Sequence, residues 1–330
     1  MDCASKNCPY KINPNVLYSE NKYCCIACKK TPNKHNKSCK QVKFTINPTN
    51  PINPSNPLNP TNLLNPTNPL NSSKLKKALL VGINYIENPA NMLRGCINDV
   101  RNMQTKLLNV NPECKEYRIL TDDSSNLLLK PTRKNIVDNI DWLVRNLKDG
   151  DSVFFHYSGH GGLTPDTNGD EVSKMDSCIY PINTGKIEVI TDDELRLLLV
   201  DKLPTGCKAF VVLDCCHSGS ALDLRYVYGA PEYGKLIMSQ NDKYPKSNGS
   251  VIFLSGCDDQ QTAADTVDKN NVPSGALTNA LLDVWNQYGT NIKFKYLLWD
   301  VRDVLKKKKY TQIPQLSCST NINLNDEFRL

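Results

Sequence analysis

Asp151-Ser-Val-Phe-Phe-His-Tyr-Ser-Gly-His-Gly-Gly162 and Ala209-Phe-Val-Val-Leu-Asp-Cys-Cys-His-Ser-Gly219 are the two stretches of sequence that decide the fold. Each begins with an apolar run, which is typical of a buried strand, and ends in small residues around a potentially catalytic side chain. That side chain is His160 in the first stretch and one of two adjacent cysteines in the second. A cysteine hydrolase needs such a pair at one sheet edge, because the imidazole takes the thiol proton and later returns it.

Short apolar runs alternate with amphipathic stretches from Lys76 onward. The apolar runs predict strands, which fall at residues 77–83, 117–121, 151–157, 209–213 and 251–254. Helical spacing predicts a helix through Val100, Met103 and Leu107, and further helices over 132–147 and near 192–200, 275–288 and 296–308. This alternation indicates an α/β fold with a mostly parallel central sheet and helices on both faces. The functional crevice of such a sheet lies beyond the carboxyl ends of its strands, which is where His160 and Cys216 are found.

Among the four histidines, His160 is the best candidate for acid–base chemistry. His35 lies in the polar N-terminal segment, and His217 directly follows the cysteine pair, so its side chain should point elsewhere. His156 lies inside a predicted strand, where a buried and hydrogen-bonded imidazole is the expected state. His160 is surrounded by glycines, which let its ring reach a substrate and let the backbone approach closely.

Either Cys215 or Cys216 could be the nucleophile, since a buried cysteine at a strand end is usually a small hydrophobic residue. Alternation after Leu213 sends the two thiols to different sides of the strand. Cys216 is nearer to the turn at Gly219. We therefore predict that Cys216 is the reactive thiol.

The composition excludes several classes of protein. The chain has 330 residues and a mild net charge of +6, and its longest apolar runs are far too short to cross a bilayer. Met1–Tyr10 lacks the apolar stretch of a signal peptide, so we expect a reducing, cytoplasmic location in which most of the 14 cysteines are not in disulfides. The run Lys306–Lys309 is best explained as a helix end. We expect no nucleic-acid partner and no membrane partner.

The N-terminal part has a different character from the rest of the chain. Residues 1–40 form a polar leader that contains six cysteines, and residues 41–75 form an Asn-Pro repeat that predicts an extended linker. Residues 76–330 form the catalytic domain. Cys25-Ile-Ala-Cys28, with Cys8, His35 and Cys39 nearby, could bind a structural zinc ion. Unliganded thiols are the favoured alternative, because only one Cys-x-x-Cys motif is present. We expect the leader to be regulatory.

Four ordered motifs of this domain resemble those of metacaspases, and the Pro/Asn-rich leader and short connection between the domain halves resemble type I members. The motifs are Tyr157-Ser-Gly-His-Gly-Gly162, Leu213-Asp-Cys-Cys-His-Ser-Gly219, Ser255-Gly-Cys-Asp-Asp-Gln-Gln-Thr-Ala-Ala-Asp265 and Gly275-Ala-Leu-Thr278. The resemblance implies a caspase-like fold. The Gln-Ala-Cys motif of true caspases is absent from the sequence.

The resemblance also implies roles for particular residues. Cys216 would be the nucleophile, His160 the general acid and base, and the backbone N–H groups of Gly161 and Cys216 the oxyanion hole. Similar proteins cleave after Arg or Lys, and the matching specificity pocket here consists of Cys96, Asp99, Ser158 and Asp214. Two carboxylates in one pocket favour a long cationic side chain. The expected partners are protein substrates with Arg or Lys at the cleavage site, and we expect a monomer.

Many metacaspases need calcium, and the matching acids in this sequence are Asp176, Asp192, Asp193 and Asp223. Four carboxylates from three segments could supply oxygen ligands to a hard cation that orders loops around the cleft. Thr191-Asp-Asp-Glu194 is also a capping box, which accounts for two of these acids without a metal. Asp166, Asp170 and Glu171 lie nearby in sequence and are not assigned.

Two other readings stay open. One is a peptidase-like scaffold that binds partners without cleaving them, although every expected catalytic residue is present. The other is a legumain-like or separase-like peptidase, whose specificities an Asp99/Asp214 pocket would serve poorly.

Overall fold

The computed structural model describes residues 74–330, apart from residues 115, 170, 172, 183–184, 186, 233–234, 257–264, 268–271 and 329–330. The Cys-rich leader, its possible zinc ligands and nearly all of the Asn-Pro linker lie outside the described residues.

The described part of the chain alternates between strands and helices. Strands β1–β15 are, in chain order, Lys74–Gly82, Glu116–Thr121, Asp151–Ser158, Gly161–Pro165, Met175–Ile179, Ile190–Thr191, Lys208–Asp214, Tyr226–Glu232, Lys235–Gln240, Ser250–Ser255, Asp265–Val267, Pro273–Gly275, Ile292–Lys293, Gln315–Cys318 and Glu327–Phe328. Helices α1–α5 are Cys96–Val110, Arg133–Val144, Asp192–Leu195, Ala276–Tyr288 and Phe294–Lys307. A π-helical turn at Arg196–Val200 continues α3, and single 3₁₀ turns lie at Pro89–Asn91 and Leu127–Leu129.

The central sheet has eight strands in the order β2-β1-β3-β7-β10-β14-β8-β9. The first five are parallel to one another, and β14, β8 and β9 complete the sheet in antiparallel pairs. In the centre of the sheet, the register pairs Ser158 at the end of β3 with Asp214 at the end of β7. The carboxyl ends of these two neighbouring strands therefore meet at one edge.

Alternation along the strands divides the core into two parts. Phe154, Phe210 and Val212 face one side, where they pack with apolar residues of α1, α4 and α5; we call this the α1/α4 face. Phe155 and Val211 face the opposite side and pack with α2 and α3; this is the α2/α3 face. Because both faces are covered, the central strands are apolar on both sides, which explains their continuous runs in the sequence.

The predicted fold class is confirmed, and each predicted strand and helix corresponds to an observed element. Thr191 is the N-cap of α3, because its Oγ1 accepts a hydrogen bond of 3.3 Å from the Glu194 N–H. The predicted capping box is only half formed, since the Glu194 carboxylate binds Arg133 instead of the Thr191 N–H. The prediction missed the three antiparallel strands of the sheet, β14, β8 and β9. Strand β9 exposes Ile237 and Met238 instead of burying an apolar run, so it lacks the pattern of a central strand. No helix of the described residues is long and apolar enough to span a membrane.

Candidate active site

The ends of β3 and β7 bring together the two loops that bear His160 and Cys216. The Gly159 N–H donates a hydrogen bond to the Asp214 carbonyl at 3.5 Å, which continues the pairing one step beyond β3. At Gly161, a Cβ atom would lie only 2.2 Å from the Cys216 carbonyl oxygen. The loop after β3 and the loop after β7 are therefore in direct backbone contact, and only glycine fits at Gly161.

The imidazole of His160 is half-buried and has a defined orientation. Its Nε2 atom lies 2.7 Å from the backbone carbonyl oxygen of Asn91. A carbonyl oxygen only accepts hydrogen bonds, so Nε2 carries the proton. In the neutral ring, Nδ1 is then the atom with a lone pair.

Two tyrosines hold the backbone of His160. The hydroxyl of Tyr85 accepts a hydrogen bond from the His160 N–H at 2.9 Å and donates one to the Tyr180 carbonyl at 2.6 Å. The hydroxyl of Tyr157 donates to the His160 carbonyl at 2.7 Å. The ring of Tyr85 also lies against the imidazole, with 4.6 Å between the ring centroids. We did not predict either role; the position of Tyr85 just after the carboxyl end of β1 was the available signal.

The two adjacent cysteines occupy different environments. Cys215 is fully buried in the apolar core of the α2/α3 face, whereas Cys216 is only half-buried. Of the two thiols, Cys216 is therefore the one that a substrate can reach. His156 is buried, and its Nε2 lies 3.0 Å from the Thr278 hydroxyl, as expected for a core histidine. Burial also lowers the pKa of His156 to about 3, so this ring stays neutral.

Asp99 and Asp214 form what we call the acidic pocket, on the α1/α4 face beside the loops that bear His160 and Cys216. Both are buried, and both approach Gly275 so closely that a Cβ atom there would lie 2.8 Å from an Asp99 carboxylate oxygen and 2.3 Å from one of Asp214. Ser158 is part of this pocket, since its hydroxyl donates to Asp99 at 2.7 Å. Cys96 is buried at the first residue of α1, one turn before Asp99.

Neutral donors surround the pocket carboxylates. Asp99 accepts hydrogen bonds from the Ser274 hydroxyl at 2.6 Å and the Gly275 N–H at 2.9 Å, and Asp214 accepts one from the Thr278 N–H at 2.7 Å. Burial, followed by the negative charge of Asp214, raises the pKa of Asp99 to about 7. A cation would offset this crowding of negative charge. Ser274 is a pocket residue that we missed, because a serine in a short edge strand has no distinctive sequence signal.

A second group of acids, which we call the acidic cluster, contains the four predicted calcium ligands and Glu171. One carboxylate oxygen from each of Asp176, Asp192 and Asp193 lies within 4.8 Å of the others. The same holds for Glu171, Asp192 and Asp223, so Asp192 belongs to both groups. Glu171, which we left unassigned in the sequence, is thus brought to the predicted ligands by the loop that precedes β5.

The chemistry of the acidic cluster suits a hard divalent cation. Asp176, Asp192 and Asp223 are each 2% exposed. Burial is the main cause that raises the pKa of Asp192 to about 8, and the negative charges of Asp176 and Glu171 raise it further. Two backbone N–H groups that donate to the Asp192 carboxylate oppose this shift. Such proximity of buried carboxylates is costly without a cation, and calcium prefers several oxygen ligands in flexible geometry. The donor set therefore fits calcium.

An α/β sheet with a histidine loop and a cysteine loop at adjacent strand ends defines a caspase-like architecture. A family model described as "Metacaspase, peptidase C14 domain" matches residues 76–225. The chain is 37% identical to Metacaspase-1 of Scheffersomyces stipitis over 77% of this chain and 73% of that protein. It is 38% identical to Metacaspase-1 of Mycosarcoma maydis, covering 76% and 72% of the two chains. For Metacaspase-1 of Schizosaccharomyces pombe, the identity is 37% and the coverage 76% and 68%.

The fold is also similar to the crystal structure of a protein from Geobacter sulfurreducens. That likeness has a TM-score of 0.55 at 21% identity and covers 76% of this chain and 97% of the other. The family model and the identity to the Metacaspase-1 proteins show that the chain belongs to the metacaspase family and is a cysteine-type peptidase.

Proposed function

We propose that this peptidase cleaves proteins after Arg or Lys by means of Cys216 and His160, and that calcium activates it. The observation that carries this proposal is the convergence of two buried carboxylates, Asp99 and Asp214, beside the loops that bear His160 and Cys216. Asp214 is also two residues before Cys216 in sequence, so the pocket and the nucleophile are parts of one strand end.

In the proposed reaction, His160 Nδ1 takes the proton of the Cys216 thiol, and the thiolate attacks the carbonyl carbon of the scissile bond. The backbone N–H groups of Gly161 and Cys216 stabilise the resulting oxyanion. His160 then protonates the departing amine, which leaves an acyl group on Cys216. Water, activated by His160, hydrolyses this thioester. The hydrogen bond from His160 Nε2 to the Asn91 carbonyl keeps Nδ1 available for each proton transfer and stabilises the protonated ring.

The acidic pocket would select the side chain before the scissile bond. A guanidinium or ammonium group between Asp99 and Asp214 neutralises two carboxylates that burial has placed close together, whereas an acidic side chain would add a third negative charge. The Ser158 and Ser274 hydroxyls would keep the Asp99 carboxylate in a fixed orientation for that cation.

Calcium would be held by the acidic cluster, with Asp192 at its centre. The cluster joins the start of α3 to β5 and to the loop after β7 that bears Cys216. A cation that links these segments would order the loops around the cleft, and it would take no part in the bond-breaking steps.

The test is hydrolysis of coumarin amides that carry Arg, Lys, Asp or Asn before the scissile bond, with and without saturating calcium. We expect cleavage after Arg and Lys only, and only with calcium. Cys216→Ala should lose at least about 10³-fold in kcat/KM, because it removes the nucleophile. Cys215→Ala is the matched control and should retain activity, because Cys215 belongs to the core.

Other outcomes would contradict specific parts of the proposal. Loss of activity in Cys215→Ala but not in Cys216→Ala would reverse the assignment of the nucleophile. Cleavage after Asp would exclude the cation pocket. The absence of any cleavage in the presence of calcium and reductant would favour a binding scaffold.

A further inference from the structure

A cavity of about 640 Å³ lies beside His160 and is separate from the acidic pocket. His160 and Gly161 form one of its walls. The other walls come from the loop after β1, which contributes Tyr85 and Ile86, and from the segment after β5, which contributes Tyr180 and Ile182. None of the acids or serines of the acidic pocket lines it. Its volume is within the usual range for ligand sites in proteins.

The cavity and the acidic pocket lie on opposite faces of the sheet. Ser158 of β3 points to the α1/α4 face, where its hydroxyl meets Asp99 of α1. The preceding residue, Tyr157, points to the α2/α3 face. Tyr85 and Ile182 pack against the apolar core of that same α2/α3 face. The catalytic loops therefore have the acidic pocket on one side and the cavity on the other.

The two sites lie where the residues on either side of the scissile peptide bond would be expected, one before the bond and one after it. The residue before the scissile bond places its side chain in the acidic pocket, so the departing amine must extend to the other side of the reacting carbon. His160 has to reach that amine in order to protonate it. The cavity is the concave surface that His160 borders on the side away from the acidic pocket.

We infer that the cavity beside His160 binds the residue that follows the scissile bond, and that it prefers a large apolar or aromatic side chain there. This inference rests on the proposed function. Tyr85, Ile86, Tyr180 and Ile182 supply apolar and aromatic surface, and Ile86 is 43% exposed and able to contact a substrate. Among the described residues that line the cavity, Glu87, Asp122 and Glu188 outnumber the one cation, Lys130, so an acidic side chain is disfavoured.

The wall is preformed and joined to the catalytic histidine. The Asp122 carboxylate accepts hydrogen bonds of 2.9 Å from the N–H groups of Asn84 and Ile86, which fixes the start of the loop after β1. The same loop ends near Asn91, whose carbonyl orients His160. A side chain bound against Ile86 is thus held in register with the group that protonates its amine, so the preference should appear in kcat/KM.

The experiment compares quenched fluorescent peptides that share Arg before the scissile bond and carry Phe, Gly or Asp after it. We expect kcat/KM for Phe to exceed that for Gly by about tenfold, as for burial of most of an aromatic side chain, and Asp to be the poorest. Ile86→Glu should reduce the Phe-to-Gly ratio to near one. Ile237→Glu is the matched control, because Ile237 is 47% exposed on β9, and it should leave the ratio unchanged.

A second measurement needs only the wild-type protein. Phe-amide or Gly-amide, added during hydrolysis of an Arg ester, can attack the acyl group on Cys216 in place of water. The amine nitrogen forms a new amide bond, the carbon–sulfur bond breaks, and the amine proton passes through His160 to the thiolate. We expect about tenfold more transfer to Phe-amide than to Gly-amide at equal concentration, for the same reason.

The failure of this inference can be told apart from the failure of the proposed function. Cleavage after Arg with equal rates for Phe, Gly and Asp, or equal transfer to both amides, would overturn the cavity assignment and leave the peptidase intact. A preference that Ile86→Glu and Ile237→Glu change equally would also overturn it. The absence of cleavage of any Arg substrate would overturn both.

Discussion

The acidic pocket and the acidic cluster are both built from buried aspartates, yet their surroundings suit different cations. In the pocket, two buried carboxylates are held by serine hydroxyls and backbone N–H groups. In the cluster, five acids from four segments bring their oxygens within 4.8 Å of one another in two overlapping groups. The comparison teaches that the number and spacing of the carboxylate oxygens decide between a guanidinium group and a metal ion, because buried aspartates are common to both sites.

The largest expected effect is on activity, where substitutions in the acidic pocket and in the acidic cluster should differ. At saturating calcium, Asp214→Asn should lower kcat/KM for an Arg substrate at least about 30-fold, because removal of one buried charge partner costs about 2–5 kcal/mol. Asp193→Asn in the cluster should need more calcium but reach a similar rate once saturated. Initial rates over a calcium titration check both statements.

Asp138→Asn, an exposed acid on α2, is the control for this comparison and should behave as wild type. If Asp193→Asn and Asp214→Asn gave the same pattern, the two groups of acids would not be separate sites.

The second prediction compares how the two sites make the stability of the protein depend on pH and on calcium. Asp192 has a pKa of about 8 in the folded protein, against about 4 in an unfolded chain, so the calcium-free protein binds its proton more tightly when folded. Its free energy of unfolding should therefore rise as the pH falls from about 8.5 towards 5. Calcium binds the ionised acids and should abolish this contribution. Asp99, with a pKa of about 7, contributes with the same sign below pH 7 and should be unaffected by calcium.

Thermal unfolding from pH 8.5 to pH 5, with and without calcium, measures both contributions. In Asp192→Asn, the calcium response should disappear, and the pH dependence that remains should come from Asp99 and from Asp300, whose pKa burial raises to about 6. A calcium-induced rise in Tm that survives in Asp192→Asn would place the ion elsewhere.

The smallest expected effect tests whether the neutral hydrogen-bond donors around Asp99 contribute to the acidic pocket. Ser274→Ala removes one hydrogen bond to Asp99, which should cost about 1 kcal/mol, or about fivefold in kcat/KM for an Arg substrate. The loss of this bond should also raise the pKa of Asp99. As the pH is lowered, Asp99 is then protonated earlier, so activity should begin to fall at a higher pH than in wild type. Ser239→Ala, at an exposed serine of β9, is the matched control. Equal kinetics in both variants would show that the carboxylates alone define the pocket.

Much of the fold could be predicted from the sequence because the parallel strands are buried on both faces. Runs such as Val211-Val-Leu213 have to be apolar throughout, and that pattern is visible without a structure. The antiparallel strands β8, β9 and β14 could not be predicted in the same way. The edge strand β9 exposes apolar residues instead of burying them, and the pairing of β14 with β8 joins segments far apart in sequence.

The sequence by itself determined the α/β class, the positions of His160 and Cys216 at strand ends and, through its motifs, the family. These features are local, because a buried strand and a glycine-flanked loop have their own composition. Only the tertiary structure decided that Ser274 meets Asp99 and that Glu171 joins Asp192 and Asp223. It alone produced the cavity beside His160. Each of these is a meeting of side chains from separate segments, and packing, not local sequence, sets which segments meet.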